Sequence, residues 1–218
     1  MTRPIALLVL LCACDPGAVD SDGLVGFDAD PDTNAPADAF ADAVVMFEPG
    51  DNAGFGQDGF PDIVLGPPQG GGTVGSLHVL SLGFEGEIVL KLDDIGIVDG
   101  PGVDLLVFEN PFVGFAETGA VAVSEDGQTW HEWYCDVDNE VDGYPGCAGF
   151  NNVWSTPENG VDPTDPEVAG GDAFDLADLG ISAARFVRIR DTGTNEYLGV
   201  SGGFDLDAIA VVHGEPMD

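Results

Sequence analysis

The sequence predicts an all-β protein, an antiparallel β-sandwich of the jelly-roll type with one short helix and long acidic loops. Three observations carry this expectation. Nine short apolar runs follow one another from residue 43 onward, most of 5 to 9 residues, each bounded by Gly, Pro or Asp. The 218 residues include 32 Gly and 15 Pro, which interrupt helices and favour strands joined by turns. With 44% of residues apolar, the chain can bury a real core.

The chain begins with one cation, Arg3, followed by the apolar run Ile5-Ala6-Leu7-Leu8-Val9-Leu10-Leu11 and then Cys12-Ala13-Cys14. A charged start, a short apolar stretch and small residues before a cut form an export signal, here residues 1–13, and seven residues are far too few to span a bilayer. Leu11-Cys12-Ala13-Cys14 resembles the bacterial lipobox, in which the final Cys is lipidated; that resemblance implies an anchor at Cys14. Residues 14–42 carry a succession of aspartates and no cation, and read as a flexible acidic tether reaching roughly 30 Å. The sandwich domain is expected over 43–214, with a tail at 215–218.

The strand-like runs are 43–47, 62–65, 76–82, 87–92, 104–108, 120–124, 129–134, 185–190 and 204–212. In the run 87–92, Ile88, Leu90 and Leu92 alternate with Val89 and Lys91, the period of a half-buried strand. Asp126-Gly127 marks a turn between 120–124 and 129–134. The one helical candidate is 172–179, stopped by Gly180. Removing the signal leaves two cysteines, Cys135 and Cys147, which an exported protein is expected to join as a disulfide.

Val123-Ser124-Glu125-Asp126-Gly127-Gln128-Thr129-Trp130 and Ala184-Arg185-Phe186-Val187-Arg188-Ile189-Arg190 resemble the hairpin and strand motifs of discoidin-like (galactose-binding-domain-like) jelly rolls. A closer resemblance, to exported bacterial cell-surface proteins of the myxobacterial type, rests on Val64-Leu65-Gly66-Pro67-Pro68, Val107-Phe108-Glu109-Asn110-Pro111-Phe112, Gly170-Gly171-Asp172-Ala173-Phe174-Asp175 and Gly203-Phe204-Asp205-Leu206-Asp207-Ala208. The resemblance implies a cell-surface location and a binding fold, and leaves the ligand open.

The charge excludes several classes. Forty acids against five Lys and Arg give a formal charge of −35, and loss of Arg3 with the signal takes it to −36. Such a surface binds neither nucleic acid nor anionic headgroups, so contact with a membrane is expected only through the lipid anchor. No HExxH, GxSxG or phosphate-binding loop stands in a suitable context, and a non-catalytic protein is expected.

Five acids beside strand ends, Asp104, Glu109, Glu117, Asp205 and Asp207, are candidate ligands for calcium, which takes six to eight oxygens in irregular geometry. Turn caps and arginine partners are the alternative use of the same carboxylates. Asp138, Glu140 and Asp142 form a second possible calcium loop; the absence of flanking helices and of an acid at position 149 excludes an EF-hand. Arg188 and Arg190 could grip an acidic sugar or pair with neighbouring acids, and Trp154 is a candidate contact residue. The function expected is a lipid-anchored cell-surface binding or adhesion module for glycans, with structural calcium. The rival readings are a polysaccharide-acting enzyme using a carboxylate pair from Asp104, Glu109 and Glu117, and a halophilic envelope protein.

Overall fold

The computed structural model describes residues 27–28, 38–110, 116–194 and 199–217. The signal at 1–13, Cys14 and most of the tether lie outside the described residues. The strands are β1 (Phe27–Asp28), β2 (Ala43–Glu48), β3 (Leu80–Ser81), β4 (Glu87–Lys91), β5 (Ile95–Val98), β6 (Leu105–Glu109) and β7 (Gly119–Ser124). They continue with β8 (His131–Glu132), β9 (Cys147–Ala148), β10 (Asp172–Phe174), β11 (Ala183–Ala184), β12 (Phe186–Asp191), β13 (Asp205–Val211) and β14 (Gly214–Pro216). Every pairing among them is antiparallel. The chain is therefore an all-β sandwich, as its Gly- and Pro-punctuated apolar runs require.

The largest sheet runs β1-β2-β4-β12-β7-β8, with β9 also on β7; a second runs β10-β6-β13-β3, and a third β11-β5-β14. Period-two alternation decides what lies between them. Ile88 and Leu90 of β4, Val187 and Ile189 of β12, and Val121 and Val123 of β7 turn one face of the large sheet inward. Leu105 and Val107 of β6 meet them from the second sheet. The other face of β6 holds Leu106 and Phe108, covered by Val153 and Ala169 from the long loop after β9. β13 keeps contact with both layers through a shift in register between Leu206 and Ala208. Across that bulge Leu206, Ile209 and Val211 all face the main core, while Ala208 and Ala210 face the loop layer. Asp207 is the residue at the bulge.

Several expected elements changed. Residues 62–65 form a 3-10 turn (Asp62–Val64) rather than a strand. Of 76–82 only Leu80–Ser81 pairs, because the Ser76 N–H is held by the Asn110 side chain instead of a ladder. The helix expected at 172–179 is split into strand β10 and a 3-10 turn (Leu176–Leu179). Asp175 caps that turn by accepting from the Ala177 N–H, and Asp172 is pulled into the sheet by loop amides. β5 went unseen because Gly96 interrupts its apolar run, and β14 runs to Pro216, inside the expected tail. At the other end, Ala39, Phe40 and Ala41 of the expected tether already pack on the core.

Cys135 and Cys147 are joined, with Cα atoms 4.5 Å apart. The short loop they close gives, in the chain-entropy account, about 3 kcal/mol. Replacing both by Ser is expected to lower Tm by about 6–12 °C, at about 2–4 °C per kcal/mol. Thermal unfolding of the double variant beside the oxidised protein measures it, and equal midpoints would mean the bridge contributes nothing.

Candidate metal centre

β6 carries an acid at each end. Asp104 immediately precedes it and Glu109 closes it, five residues apart, or roughly 17 Å at about 3.4 Å per residue. The structure therefore divides the five acids named from sequence among three places.

At the first end, Asp104 is completely buried and hydrogen-bonded all round. Its Oδ1 accepts from the Gly100 N–H at 2.8 Å and pairs with His213 Nδ1 at 2.9 Å, and its Oδ2 accepts from the Leu176 N–H at 2.8 Å. Asp99, exposed, and Asp175, half-buried, stand beside it. Their oxygens lie within 4.8 Å of one another, and among the described residues this is the one group of three acids that close; it can hold a metal ion. Asp99 also lines an open cleft of about 680 Å³ with Glu125, Asp126 and His131.

At the opposite end, Glu109 meets Glu117 and Asp205. Glu109 ends β6 and Asp205 begins β13, whose Leu206 is opposite Glu109 in the ladder. Glu117 lies two residues ahead of β7, in the large sheet. Gly149, with φ at +97°, passes so close over this segment that a Cβ would sit 2.0 Å from the Glu117 carbonyl oxygen. Burial raises Glu109 well above its usual value, with Asp205, Glu117 and Asp172 adding repulsion. Burial, then Asp205 and Asp191, pushes Glu117 up to about 8. Asp205 is raised too, chiefly by burial, although its Oδ2 accepts from Ser201 Oγ at 2.6 Å.

Asp207, the remaining member of the set, sits at the β13 bulge and accepts the Gln69 N–H on both oxygens, at 3.0 and 2.9 Å. Burial raises it to about 7. Sequence reasoning missed two acids of the same kind. Asp172 accepts from the Gly149, Phe150 and Asn151 amides and from Asn151 Nδ2, and burial lifts it to about 6 despite those bonds. Asp191 accepts from the Glu85, Gly193 and Phe204 amides. Both stand where a strand meets a Gly-containing turn, at Gly170-Gly171-Asp172 and Asp191-Thr192-Gly193, the signal that could have found them.

The other named residues lie elsewhere. Asp138, Glu140 and Asp142 are exposed, and Asp142 is bonded to Asn139 through both its carboxylate and its amide. Arg188 reaches Glu132 at 3.3 Å and Glu87 at 3.9 Å, with its guanidinium 4.7 Å from the centre of the Trp130 ring. Arg190 reaches the same two acids at 3.6 and 4.0 Å, and Lys91 and Arg185 share Asp93. Trp130 thus lies half-buried under a cation. Trp133 is the core indole, donating from Nε1 to the Asp175 carbonyl and packing on Phe174, while Tyr134 is 84% exposed. Trp154 is 49% exposed, its edge close against Gly72 and Gly170.

Fold and site together define an all-β sandwich whose loops are fastened by buried carboxylates. No protein-family model matches the chain, and no curated protein matches it.

The raised carboxyls set a pH dependence. An unfolded chain releases these protons near pH 4, whereas Asp172, Asp207 and Glu117 hold theirs to about 6, 7 and 8. In chelator the folded state therefore binds more protons across that window, and stability falls as pH rises through it. Tm in chelator is expected to drop steadily from about pH 4 to about pH 8, and Asp207→Asn to flatten the slope. A Tm that rises instead would mean these groups are ionised in the fold.

Proposed function

We propose that the protein is an exported, lipid-anchored binding module of the discoidin-like jelly-roll kind, non-catalytic, presenting its loops to a glycan and using calcium as a structural ion. One observation carries the reading. All four Lys and Arg side chains among the described residues lie on β4 or at β12, each against a surface acid. The buried carboxylates at the two ends of the sandwich receive no lysine or arginine, so when they ionise an ion from outside is the way to balance those that hold a proton in its absence. Donors that are all carboxylate oxygen, set at strand ends and in the adjoining loops, suit calcium better than zinc or magnesium.

The glycan reading is supported by Trp154, an indole 49% exposed beside Gly72 and Gly170, an aromatic surface of the kind that packs on apolar C–H groups. The non-catalytic reading is supported by the burial of Asp104, Glu109 and Glu117, which keeps all three carboxyls from reaching a glycosidic bond at the surface, and by the separation of Asp104 from the other two. The anchor reading rests on Cys14.

Saturating calcium is expected to raise Tm by about 5–10 °C over chelator at constant ionic strength, since occupancy at about a hundred times Kd adds about 2.7 kcal/mol. Coincident melting curves would remove the ion, and a gradual rise with any salt, KCl included, would favour the halophilic reading. A glycan array run with and without calcium tests the ligand. For the anchor, Cys14→Ser is expected to abolish partitioning into detergent; equal partitioning of both forms would remove that claim.

A further inference from the structure

We infer that Glu109, Glu117 and Asp205 form a closed calcium site bridging the two large sheets, and that the ion sits there rather than at Asp99, Asp104 and Asp175. This deepens the calcium reading above and rests on it.

The buried acids differ in what their oxygens already hold. Asp172 and Asp191 are engaged on both oxygens by loop amides. Asp104 has donors on both of its own, and Asp175 accepts from the Ala177 N–H at 2.8 Å, so an ion between them would compete with four existing hydrogen bonds. At the other end, Glu109, Glu117 and Asp205 are 2, 5 and 3% exposed, and Glu109 Oε2, Glu117 Oε1 and Asp205 Oδ1 are each buried without a hydrogen-bond partner. Buried carboxylate oxygens normally find donors, and leaving one bare is costly. Three such atoms from three segments, each repelling another, mark a place for a cation.

The chemistry of the donors selects the ion. No histidine or cysteine takes part, so a hard cation fits, and three carboxylates offer up to six oxygens. The three stand further apart than the 4.8 Å that encloses the Asp99 group, as like charges do when nothing holds them. Glu109 and Glu117 each turn about three side-chain torsions, which gives their carboxylates reach toward an ion. Calcium tolerates the resulting irregular shell, whereas magnesium demands a near-octahedral one and gives up its waters reluctantly. Because Glu109 and Asp205 belong to the second sheet and Glu117 precedes β7 of the first, the ion would pin the two together.

The test is calorimetric titration with calcium chloride, with thermal unfolding in calcium and in chelator, on the wild type, Glu117→Gln, Asp205→Asn and the double variant Asp99→Asn/Asp175→Asn. The wild type and the double variant are expected to bind one ion tightly. Glu117→Gln and Asp205→Asn are expected to lose at least tenfold in affinity and most of the calcium increment in Tm, with Tm in chelator equal to or above wild type because a repelling charge is gone. Hydrogen exchange on the wild type, which needs no variant to fold, should slow in calcium at the end of β6 and the starts of β7 and β13. Binding lost in the double variant and kept in the other two, or protection confined to 99–104 and 175–178, would overturn the site while leaving the calcium reading intact. Absence of any calcium heat or shift in the wild type would overturn both.

Discussion

The structure depends on buried carboxylates that accept backbone amides from loops. A chain with 32 glycines has long connections whose N–H groups have no ladder to join, and a sandwich core cannot satisfy them with apolar side chains. Acids at strand ends meet this need. Asp172 gathers the turn after the disulfide, Asp191 ties the segments around Glu85 and Phe204, Asp104 holds the entry to the last 3-10 turn, and Asp207 fixes the loop at Gln69. The same solution repeated around one small domain brings negative charges together, and burial then raises most of them. The acids that hold amides on both oxygens and the acids left with one bare oxygen are thus two results of one constraint.

The cations respond in the opposite way. They are collected on one outer face, where Arg188 and Arg190 stand between Glu87 and Glu132 and over Trp130. Such exposed pairs each add at most about 1 kcal/mol and weaken with salt. Their contribution is to let a strand rich in arginine sit in a sheet among acids. They do nothing for the charges at the sandwich ends.

Much of the fold was legible because it follows from alternation. The runs at β4 and β12 show apolar residues at the strand period, those at β6, β7 and β13 are short apolar runs of strand length, and Asp126-Gly127 announced the turn between β7 and β8. What escaped was decided by side chain to backbone bonds across long sequence distances. Asp172 converted half of an expected helix into a strand by bonding residues more than twenty positions away. The candidate site was half legible. Glu109, Glu117 and Asp205 were visible as acids beside strand ends. Asp104 was grouped with them because it is near in sequence, although a five-residue strand carries it to the far end of the sheet. The bulge that withdraws Asp207 from the set leaves no mark in composition.

The clamps have one more property. Their donors are for the most part main-chain amides, which every residue but proline possesses, so Asp172 would keep the amide at position 150 if Phe150 were replaced. The shape of the loop is stored in the framework, and its lettering is free except where a glycine is required, as at Gly149. A surface built this way can exchange the side chains it displays, even wholesale, while the backbone beneath keeps its path, and a family of such chains could diverge in what it touches without relearning how to fold.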